Sequence, residues 1–563
     1  MKRLRLLALI LCVVLSLSLF ASCSNEVSES PAPSQSVPET PKPPADDKAD
    51  TAGDTTSFYP IPGQHTLTFF LPMFEPVLAA LTMDYNEYPV RKEMEKRTGV
   101  HIEWVLPNAS FATEQFNLMI NSNDYTDIIS NPAYAQGLDQ AVKDGIFLRL
   151  NELMDEYAPN YLAMINEREE SIIGSLTDDG NRVGFAMIFE WMGKNNPPAT
   201  GLAWRQDVAR DLGWDTPPGS VSELNEYLDV LLEAGHTGFL APPTFGFDTR
   251  TSSGVIPCFF DAATRFLNID GTVVYGPLTP GFKDYVIQMK EWYDRGILYR
   301  NFMVQEDLAR QGANWADDTF LIGIAYNPNI GSVYRDTGVT SDPDFYIAAI
   351  APLKTKNGEA PKHGPAVAAI NASPTVISTQ CKNPEVAVRW LDYFFSEEGA
   401  LLANYGVEGI TFEWKEGESG FWRWGGNPQY TDYIMKNPDH VSPVIAIMAY
   451  CWTVGPVYRP WLPETPDLEV AQQIWAQGSE NYVWNMPELM TIGAEDSARY
   501  STLLADIETF CQETVVKLIT GVIPIEKYET EFTDKLKQMG VDEVVAIQQA
   551  ALDRYLGRLQ YLK

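Results

Sequence analysis

Three tryptophans lie close together in the stretch EWKEGESGFWRWGG, at Trp414, Trp422 and Trp424, shortly after Glu408. An exposed indole ring on a glycine-rich loop is costly unless it stacks on a ligand or folds back into a pocket. Flat aromatic rings suit the apolar faces of sugar rings, and nearby polar groups can exchange hydrogen bonds with hydroxyls. The cluster therefore predicts either a stacking surface for a ligand of this kind or an aromatic core beneath the loop.

Other candidate binding residues follow predicted strands or combine an aromatic ring with a polar group. Ligands of open α/β sheets bind beyond the carboxyl ends of the strands. The candidates are Phe74, Glu75, Asn131, Tyr134, Trp204, Arg205, Tyr326, Asn327, Glu408, Trp422, Trp424, Trp452 and Arg459. The alternatives are that Trp204 packs in the core, that Arg205 pairs with Asp207, and that Tyr326 and Asn131 begin plain turns.

Catalytic and metal-binding patterns are missing from the sequence. The five histidines are scattered, and no HExxH, GxxxxGK[ST] or GxSxG motif occurs. A glycoside hydrolase needs two carboxylates beside a sugar cleft, but with 75 Asp and Glu residues a pair such as Glu75 and Glu408 proves nothing. We expect no catalytic residue, metal or cofactor, and an extracellular glycoside hydrolase stays the alternative.

The charge balance excludes one class of partner. The chain has 563 residues with 41 Lys and Arg against 75 Asp and Glu, which gives a formal net charge of −34. A field of this sign repels nucleic acid and favours neutral or cationic ligands. We therefore expect no nucleic-acid binding.

The amino terminus predicts secretion. Residues 1–20 start with basic side chains and continue as an apolar run, which is typical of a signal peptide; an uncleaved anchor is the alternative. The next residues, Phe20-Ala21-Ser22-Cys23, resemble the lipobox of bacterial lipoproteins and depart from it at Phe20. This resemblance implies cleavage before Cys23 and a lipid such as palmitate on that cysteine, which would hold the protein at the outer face of the cell membrane.

Residues 24–58 contain almost no large apolar side chains and are rich in Pro, Ser, Thr and Asp. Such a composition cannot bury enough surface to offset the entropy of ordering, so it predicts an extended stalk. Farther on, Cys258, Cys381, Cys451 and Cys511 are widely spaced. They are expected to be buried thiols, with one disulfide as the alternative.

Alternating strand and helix patterns follow the stalk and predict an α/β fold. A βαβαβ unit is expected over 67–130, with its helices over 89–98 and 111–121. Asp-Gly hairpins are expected over 176–187 and 268–277, and strands at 202–205, 320–329 and 345–353. Helices are predicted over 383–406, 501–521 and 528–556.

Several stretches in this order resemble family 1 extracellular solute-binding lipoproteins of bacterial ABC importers for carbohydrates. They are KRTGVHIEWV, FNLMINSNDYTDII, WRQDVARDLGW, KNPEVAVRWLDYFFSEEG, NYGVEGITFEW and KQMGVDEVVAIQQAALDRYL. The resemblance implies a two-lobe fold of the type II periplasmic-binding-protein kind, a hinged trap with a helical C-terminal segment. It also implies that an aromatic ring at Trp204 stacks on the ligand. One turn, Ser122 to Asp127, lacks the Gly and Pro that the family commonly has there.

The resemblance implies the following organisation. Residues 1–22 are the signal, 23–58 the lipidated cysteine and stalk, 59–185 and 366–405 the first lobe, and 186–365 and 406–563 the second lobe with the C-terminal helices. The implied partners are an oligosaccharide, the permease subunits of an ABC importer, and the membrane through the lipid anchor. A monomer is expected, and a peptide receptor of the same fold is a further alternative.

Overall fold

A computed structural model describes residues 58–190, 198, 200–241, 254–303, 308–326, 330–336, 338–365, 369–371, 373–417, 422–436, 443–450, 455–457, 466–487 and 489–562. Cys23, the predicted signal and all but the last residue of the predicted stalk lie outside these ranges. Within them, no helix combines the length and the apolar character needed to cross a bilayer.

The strands are β1 His65–Phe70, β2 Val100–Val105, β3 Ile128–Ser130, β4 Gly184–Phe185, β5 Thr200–Arg205, β6 Leu240–Ala241, β7 Phe266–Ile269, β8 Thr272–Tyr275, β9 Ile322–Tyr326, β10 Ile347–Ala349, β11 Thr375–Ile377, β12 Phe412–Lys415 and β13 Asn427–Tyr430. The helices are α1 Glu75–Ala80, α2 Pro89–Thr98, α3 Ala112–Ser122, α4 Leu138–Lys143, α5 Asn151–Tyr157, α6 Pro159–Ile165, α7 Glu169–Ser175, α8 Gln206–Asp211, α9 Val221–Glu233, α10 Pro280–Asp294, α11 Leu308–Ala316, α12 Val333–Asp336, α13 Pro384–Tyr393, α14 Glu397–Asn404, α15 Asp432–Met435, α16 Pro443–Tyr450, α17 Pro466–Trp475, α18 Ala494–Ile519, α19 Asp534–Gln538 and α20 Val541–Gly557.

The first sheet has the strand order β2-β1-β3-β11-β4. Strands β1, β2 and β3 are parallel and are connected by helices, so the predicted βαβαβ unit is confirmed. Helix α2 ends at Gly99, whose φ of +75° is readily adopted by glycine. Because the three strands are parallel, their carboxyl ends lie at the same edge of the sheet.

The second sheet has the order β10-β5-β9-β6. Its central strand β5 is buried along its whole length, as a strand covered on both faces must be. The predicted strands at 202–205, 320–329 and 345–353 are confirmed in part by β5, β9 and β10.

Three short segments pair with one another, and along the chain each lies between elements of the first lobe and elements of the second. The amide of Phe189 donates to the carbonyl of Ala369 at 2.9 Å, and the amide of Val457 donates to the carbonyl of Ile188 at 2.8 Å. We call residues 187–190, 369–371 and 457 the crossing ladder. The backbone hydrogen bonds join these three segments to one another.

Each sheet has its own large hydrophobic core. Phe69, Tyr161 and Trp390 are among the buried residues of the first core, and Tyr227 and Trp292 belong to the second. The sequence assigned residues 406–563 to the second lobe, but Phe412, Trp422 and Ile434 pack in the first core. The predicted lobe boundaries therefore stay a proposal, with Phe412, Trp422 and Ile434 placed on the first core.

Several predicted elements differ from the structure. The hairpin at 268–277 is confirmed by the antiparallel pair β7 and β8, but the one at 176–187 is wrong. There the amide of Gly180 donates to the carbonyl of Thr177 at 3.0 Å in a turn that follows helix α7, and β4 pairs with β11 instead.

The predicted helix 383–406 is two helices, because the hydroxyl of Ser396 accepts from the amide of Gly399 and starts α14. The predicted helix 528–556 is divided at Gly540, which has a φ of +92°.

Candidate ligand-binding site

Two exposed aromatic rings lie on neighbouring loops at the carboxyl edge of the first sheet. The amide of Met73 donates to the carbonyl of Pro107 at 2.9 Å, and the amide of Ala109 donates to the carbonyl of Met73 at 2.7 Å. This pairing continues beyond β1 and β2, so the residues that follow, Phe74 and Phe111, are held on adjacent loops. Both side chains are 57% exposed. We call Phe74 and Phe111 the aromatic rim.

Polar side chains follow at the same edge. Glu75 is exposed in the first turn of α1, and Asn131 is exposed directly after β3. Asn131 has a φ of +50°, a left-handed conformation that asparagine tolerates better than most residues. The parallel arrangement thus brings a carboxylate and an amide to the edge that carries the aromatic rim.

The side chain of Tyr134, a predicted binding residue three positions after Asn131, is directed at Asp144. Its hydroxyl donates to Asp144 at 2.5 Å, and this hydrogen bond is the main reason why the pKa of Tyr134 rises to about 12. Its ring packs edge-on against Phe147 with the centroids 6.3 Å apart. This side chain is already engaged within the first lobe.

One of the three tryptophans of the cluster, Trp422, is buried in the first core. Trp422 is 4% exposed and packs edge-on against Tyr405, whereas Trp424 is partly exposed and its ring centroid lies 4.9 Å from that of Trp422. Trp414 is 39% exposed on strand β12. The alternative of an aromatic core therefore holds for Trp422, while Trp424 keeps part of its ring at the surface.

A charged group beside Trp424 was not foreseen from the sequence. The guanidinium of Arg423 lies 5.6 Å from the centre of the Trp424 ring and 3.8 Å from the carboxylate of Glu190, and it also pairs with Glu167. Arg168 approaches Glu190 at 3.7 Å. Burial raises the pKa of Glu190, and the two guanidinium groups oppose this shift. Since Glu190 is in the crossing ladder, this network ties the tryptophan cluster to the connection between the sheets.

The strand-end pair Trp204 and Arg205 lies inside the second lobe. Trp204 is 0% exposed and meets Tyr227 edge-on, with a centroid distance of 5.3 Å. The guanidinium of Arg205 is bound to both carboxylate oxygens of Asp207 at 2.5 to 3.1 Å, and it also pairs with Asp318. These positions agree with the alternatives of core packing and pairing with Asp207.

The remaining candidates lie at scattered places. Tyr326 is the last residue of β9, and Glu408 is exposed in the turn before β12. Asn327, Trp452 and Arg459 lie outside the described residues.

Among the described residues, no group of three or more histidine, cysteine or acidic side chains could hold a metal ion. Cys258, Cys381 and Cys511 are buried free thiols, as predicted, and Cys451 is outside the described part.

The family assignment follows from the sequence match. A family model described as bacterial extracellular solute-binding protein matches residues 90–410, more than half of the 563 residues. The chain belongs to this family. A second model, described only as a domain of unknown function, matches residues 494–557.

By name, one curated relative of this solute-binding protein is an ABC transporter substrate-binding protein and another is a lipoprotein. A fructooligosaccharide ABC transporter substrate-binding protein, FusA from Streptococcus pneumoniae serotype 4, is 25% identical over 338 residues, which cover 58% of this chain and 61% of the relative. Lipoprotein LipO from Bacillus subtilis strain 168 is 22% identical over 370 residues, which cover 62% and 68%. The match thus spans less than two thirds of the length of FusA.

A solved structure shows the fold of this solute-binding protein. The alginate-binding protein AlgQ2 without calcium ion has a TM-score of 0.62 and 22% identity, covering 88% of this chain and 99% of that one. The two-lobe periplasmic-binding-protein type of fold that the sequence resemblance implied is confirmed.

The sequence pointed to Phe74 but missed Phe111. The signal was present, because Phe111 comes six residues after β2, as Phe74 comes four residues after β1. It was read as the first residue of a helix, whereas helix α3 starts at Ala112.

Proposed function

We propose that this protein binds an oligosaccharide between its two lobes and delivers it to an ABC importer without altering it chemically. The observation that carries the proposal is the aromatic rim: two exposed rings on neighbouring loops at the edge where open α/β sheets bind ligands. Exposed aromatic rings with adjacent carboxylate and amide groups match the apolar faces and hydroxyls of a sugar. The name of FusA, a fructooligosaccharide ABC transporter substrate-binding protein, supports the same ligand class.

The proposed contacts begin with stacking on Phe74 and Phe111 and hydrogen bonds to Glu75 and Asn131. The partly exposed ring of Trp424 and the exposed Glu408 are further proposed contacts on the first lobe. On the second lobe the proposed contacts are Tyr326, Asn327, Trp452 and Arg459. Tyr134, Trp204, Arg205 and Trp422 are left out, because hydrogen bonds, ion pairs or burial already engage them.

The remaining proposals concern the cellular setting. A lipid on Cys23 would hold the mature protein, as a monomer, at the outer face of the membrane, and the name of lipoprotein LipO supports this. Phe58 and Tyr59, where the described residues begin, are bound to helix α13 of the first lobe. There the guanidinium of Arg389 donates to the Phe58 carbonyl at 2.8 Å, and the Tyr59 hydroxyl donates to the Arg389 carbonyl at 2.6 Å. The stalk would therefore be attached to the first lobe.

The experiment is a thermal-shift and tryptophan-fluorescence screen of residues 24–563 against fructooligosaccharides, alginate oligosaccharides and cationic peptides. A receptor predicts that at least one oligosaccharide raises Tm and changes the fluorescence while chromatography recovers it intact. Time-dependent appearance of shorter sugars would instead indicate the hydrolase. A shift with peptides alone would indicate the peptide receptor.

The anchor is tested separately by mass spectrometry of the mature amino terminus from a bacterial membrane fraction. A diacylated Cys23 is expected. An unmodified amino terminus elsewhere would overturn the anchored receptor and leave the ligand proposal intact.

A further inference from the structure

One helix at the end of the chain packs in both cores. Helix α20 begins with Val541 and Val544, which are buried in the second core, and near its end Tyr555 is buried in the first core. All of this helix falls in the segment 494–557, which a family model described as a domain of unknown function matches. A rigid helix with its two ends in different cores links the movements of those cores.

The end of this helix is bound to the first lobe by charge. The guanidinium of Arg558 lies 2.7 Å from the carboxylate of Asp178, and that of Arg554 lies 3.0 Å from the same carboxylate. The side chain of Arg558 is only 2% exposed. Removing one partner of such a pair leaves the other charge poorly solvated, so the contact resists separation.

Further contacts surround this ion pair. Arg554 donates to the carbonyl of Thr491 at 2.8 Å, and Arg558 donates to the carbonyl of Leu489 at 3.3 Å. Beyond the helix, Tyr561 covers Gly180, where an added Cβ would come within 2.8 Å of the tyrosine ring. Residues 554–561 therefore contact the first lobe through hydrogen bonds and packing as well as through the ion pairs with Asp178.

Asp178 itself is held firmly in the first lobe. Asp139, on helix α4, accepts hydrogen bonds from both neighbours of Asp178: from the hydroxyl of Thr177 at 2.5 Å and from the amide of Asp179 at 3.1 Å. The residues of α4 and its neighbours pack with β3 and β11 in a small cluster beside the first sheet. The carboxylate that receives the helix end thus moves with the first lobe.

We propose that residues 494–562 form an interlobe strap, which limits how far the lobes separate. The front of α20 moves with the second core, while Asp178 holds its end on the first. The strap's contact on the first lobe lies beside the crossing ladder, because a Cβ added at Gly174 would meet the side chains of both Leu489 and Ile370. A movement that carries the front of α20 away from the first lobe must then break the contact at Asp178 or unpack the helix from the second core. The inference rests on the two-lobe fold and does not depend on which ligand is bound.

The test measures the distance between the lobes without any ligand. Spin labels are placed on cysteines introduced at Leu118 and Ile287, both exposed, in residues 24–563 with Cys451→Ser, and the distance distribution is measured by pulsed electron resonance. We expect a single narrow distribution in this background. Asp178→Asn, which removes the charge that both arginines share, is expected to broaden it or shift it to longer distances.

The adjacent Asp179→Asn is the matched control. Asp179 pairs with Lys143 at 2.8 Å within the first lobe, so the interlobe distribution should stay unchanged. If Asp178→Asn does not fold, Arg554→Gln is measured in its place. It leaves the buried pair of Arg558 and Asp178 intact, so it should broaden the distance distribution, but less than the loss of Asp178 would. A folded Asp178→Asn or Arg554→Gln with the background distribution would overturn the strap, as would a distribution that is already broad in the background. A failed sugar screen would leave this result unaffected.

Discussion

Met73 and Asn108 pair beyond the ends of β1 and β2, and this pairing places Phe74 and Phe111 on neighbouring loops. If these rings stack on sugar, Phe111→Ala should weaken binding of the oligosaccharide that raises Tm. A stacking contact contributes about 0.5 to 1.5 kcal/mol beyond its buried area, so a loss of at least about threefold in affinity is expected. Isothermal titration calorimetry measures it.

The matched control for lost apolar surface is Val522→Ala. Val522 is 73% exposed just after α18, on the C-terminal part of the chain. Its replacement should leave the affinity unchanged. Equal losses in both variants, or full affinity in Phe111→Ala, would contradict the assignment of the rim.

The two adjacent tryptophans of the cluster should respond differently to substitution. Trp422→Ala empties a site that is only 4% exposed and should reduce the free energy of unfolding by about 3 to 5 kcal/mol. Trp424→Ala should cost less stability, because part of that ring is already at the surface. Urea unfolding of both variants checks this order, and the reverse order would show that the cluster is packed differently.

Trp204 should matter for stability and not for ligand contact. It is 0% exposed, so Trp204→Ala should also destabilise the protein by about 3 to 5 kcal/mol. At a temperature where the variant is folded, its affinity for the oligosaccharide should equal that of the wild type. A large loss of affinity with normal stability would return Trp204 to the binding site.

His363 should make stability depend on pH. Burial lowers the pKa of His363 to about 4, and its neutral ring donates from Nε2 to the carbonyl of Ala262. Between about pH 6.5 and pH 4 the unfolded chain therefore binds a proton that the folded protein does not, and stability falls as the pH falls.

The stability advantage of wild type over His363→Gln should consequently shrink by about 2 kcal/mol between pH 7 and pH 4.5. Urea unfolding at several pH values measures it. A difference in unfolding free energy between the two proteins that stays constant over this range would mean that His363 is protonated as readily in the folded state as in the unfolded chain.

The local pattern predicted much of the first sheet correctly. Helix α2 has the predicted bounds Pro89–Thr98, because a first-turn proline and a terminal glycine mark both ends in the sequence itself. The turn at Asp179 and Gly180 misled the prediction, since an Asp-Gly pair marks a turn but not what precedes it. Whether a strand or a helix enters that turn depends on a pairing partner, and here β4 pairs with β11, which lies far along the chain.

The sequence by itself determined the α/β class and the first-lobe loops that carry Phe74 and Asn131, because periodicity and strand ends are local properties, and its match to a family model determined the family. Only the tertiary structure decided that Trp204 and Trp422 are buried, that the loops of Phe74 and Phe111 are neighbours, and that Arg558 meets Asp178. The physical reason is that burial and charge pairing depend on which distant segments pack together. Asp178 and Arg558 are 380 residues apart along the chain, and no local pattern records their contact.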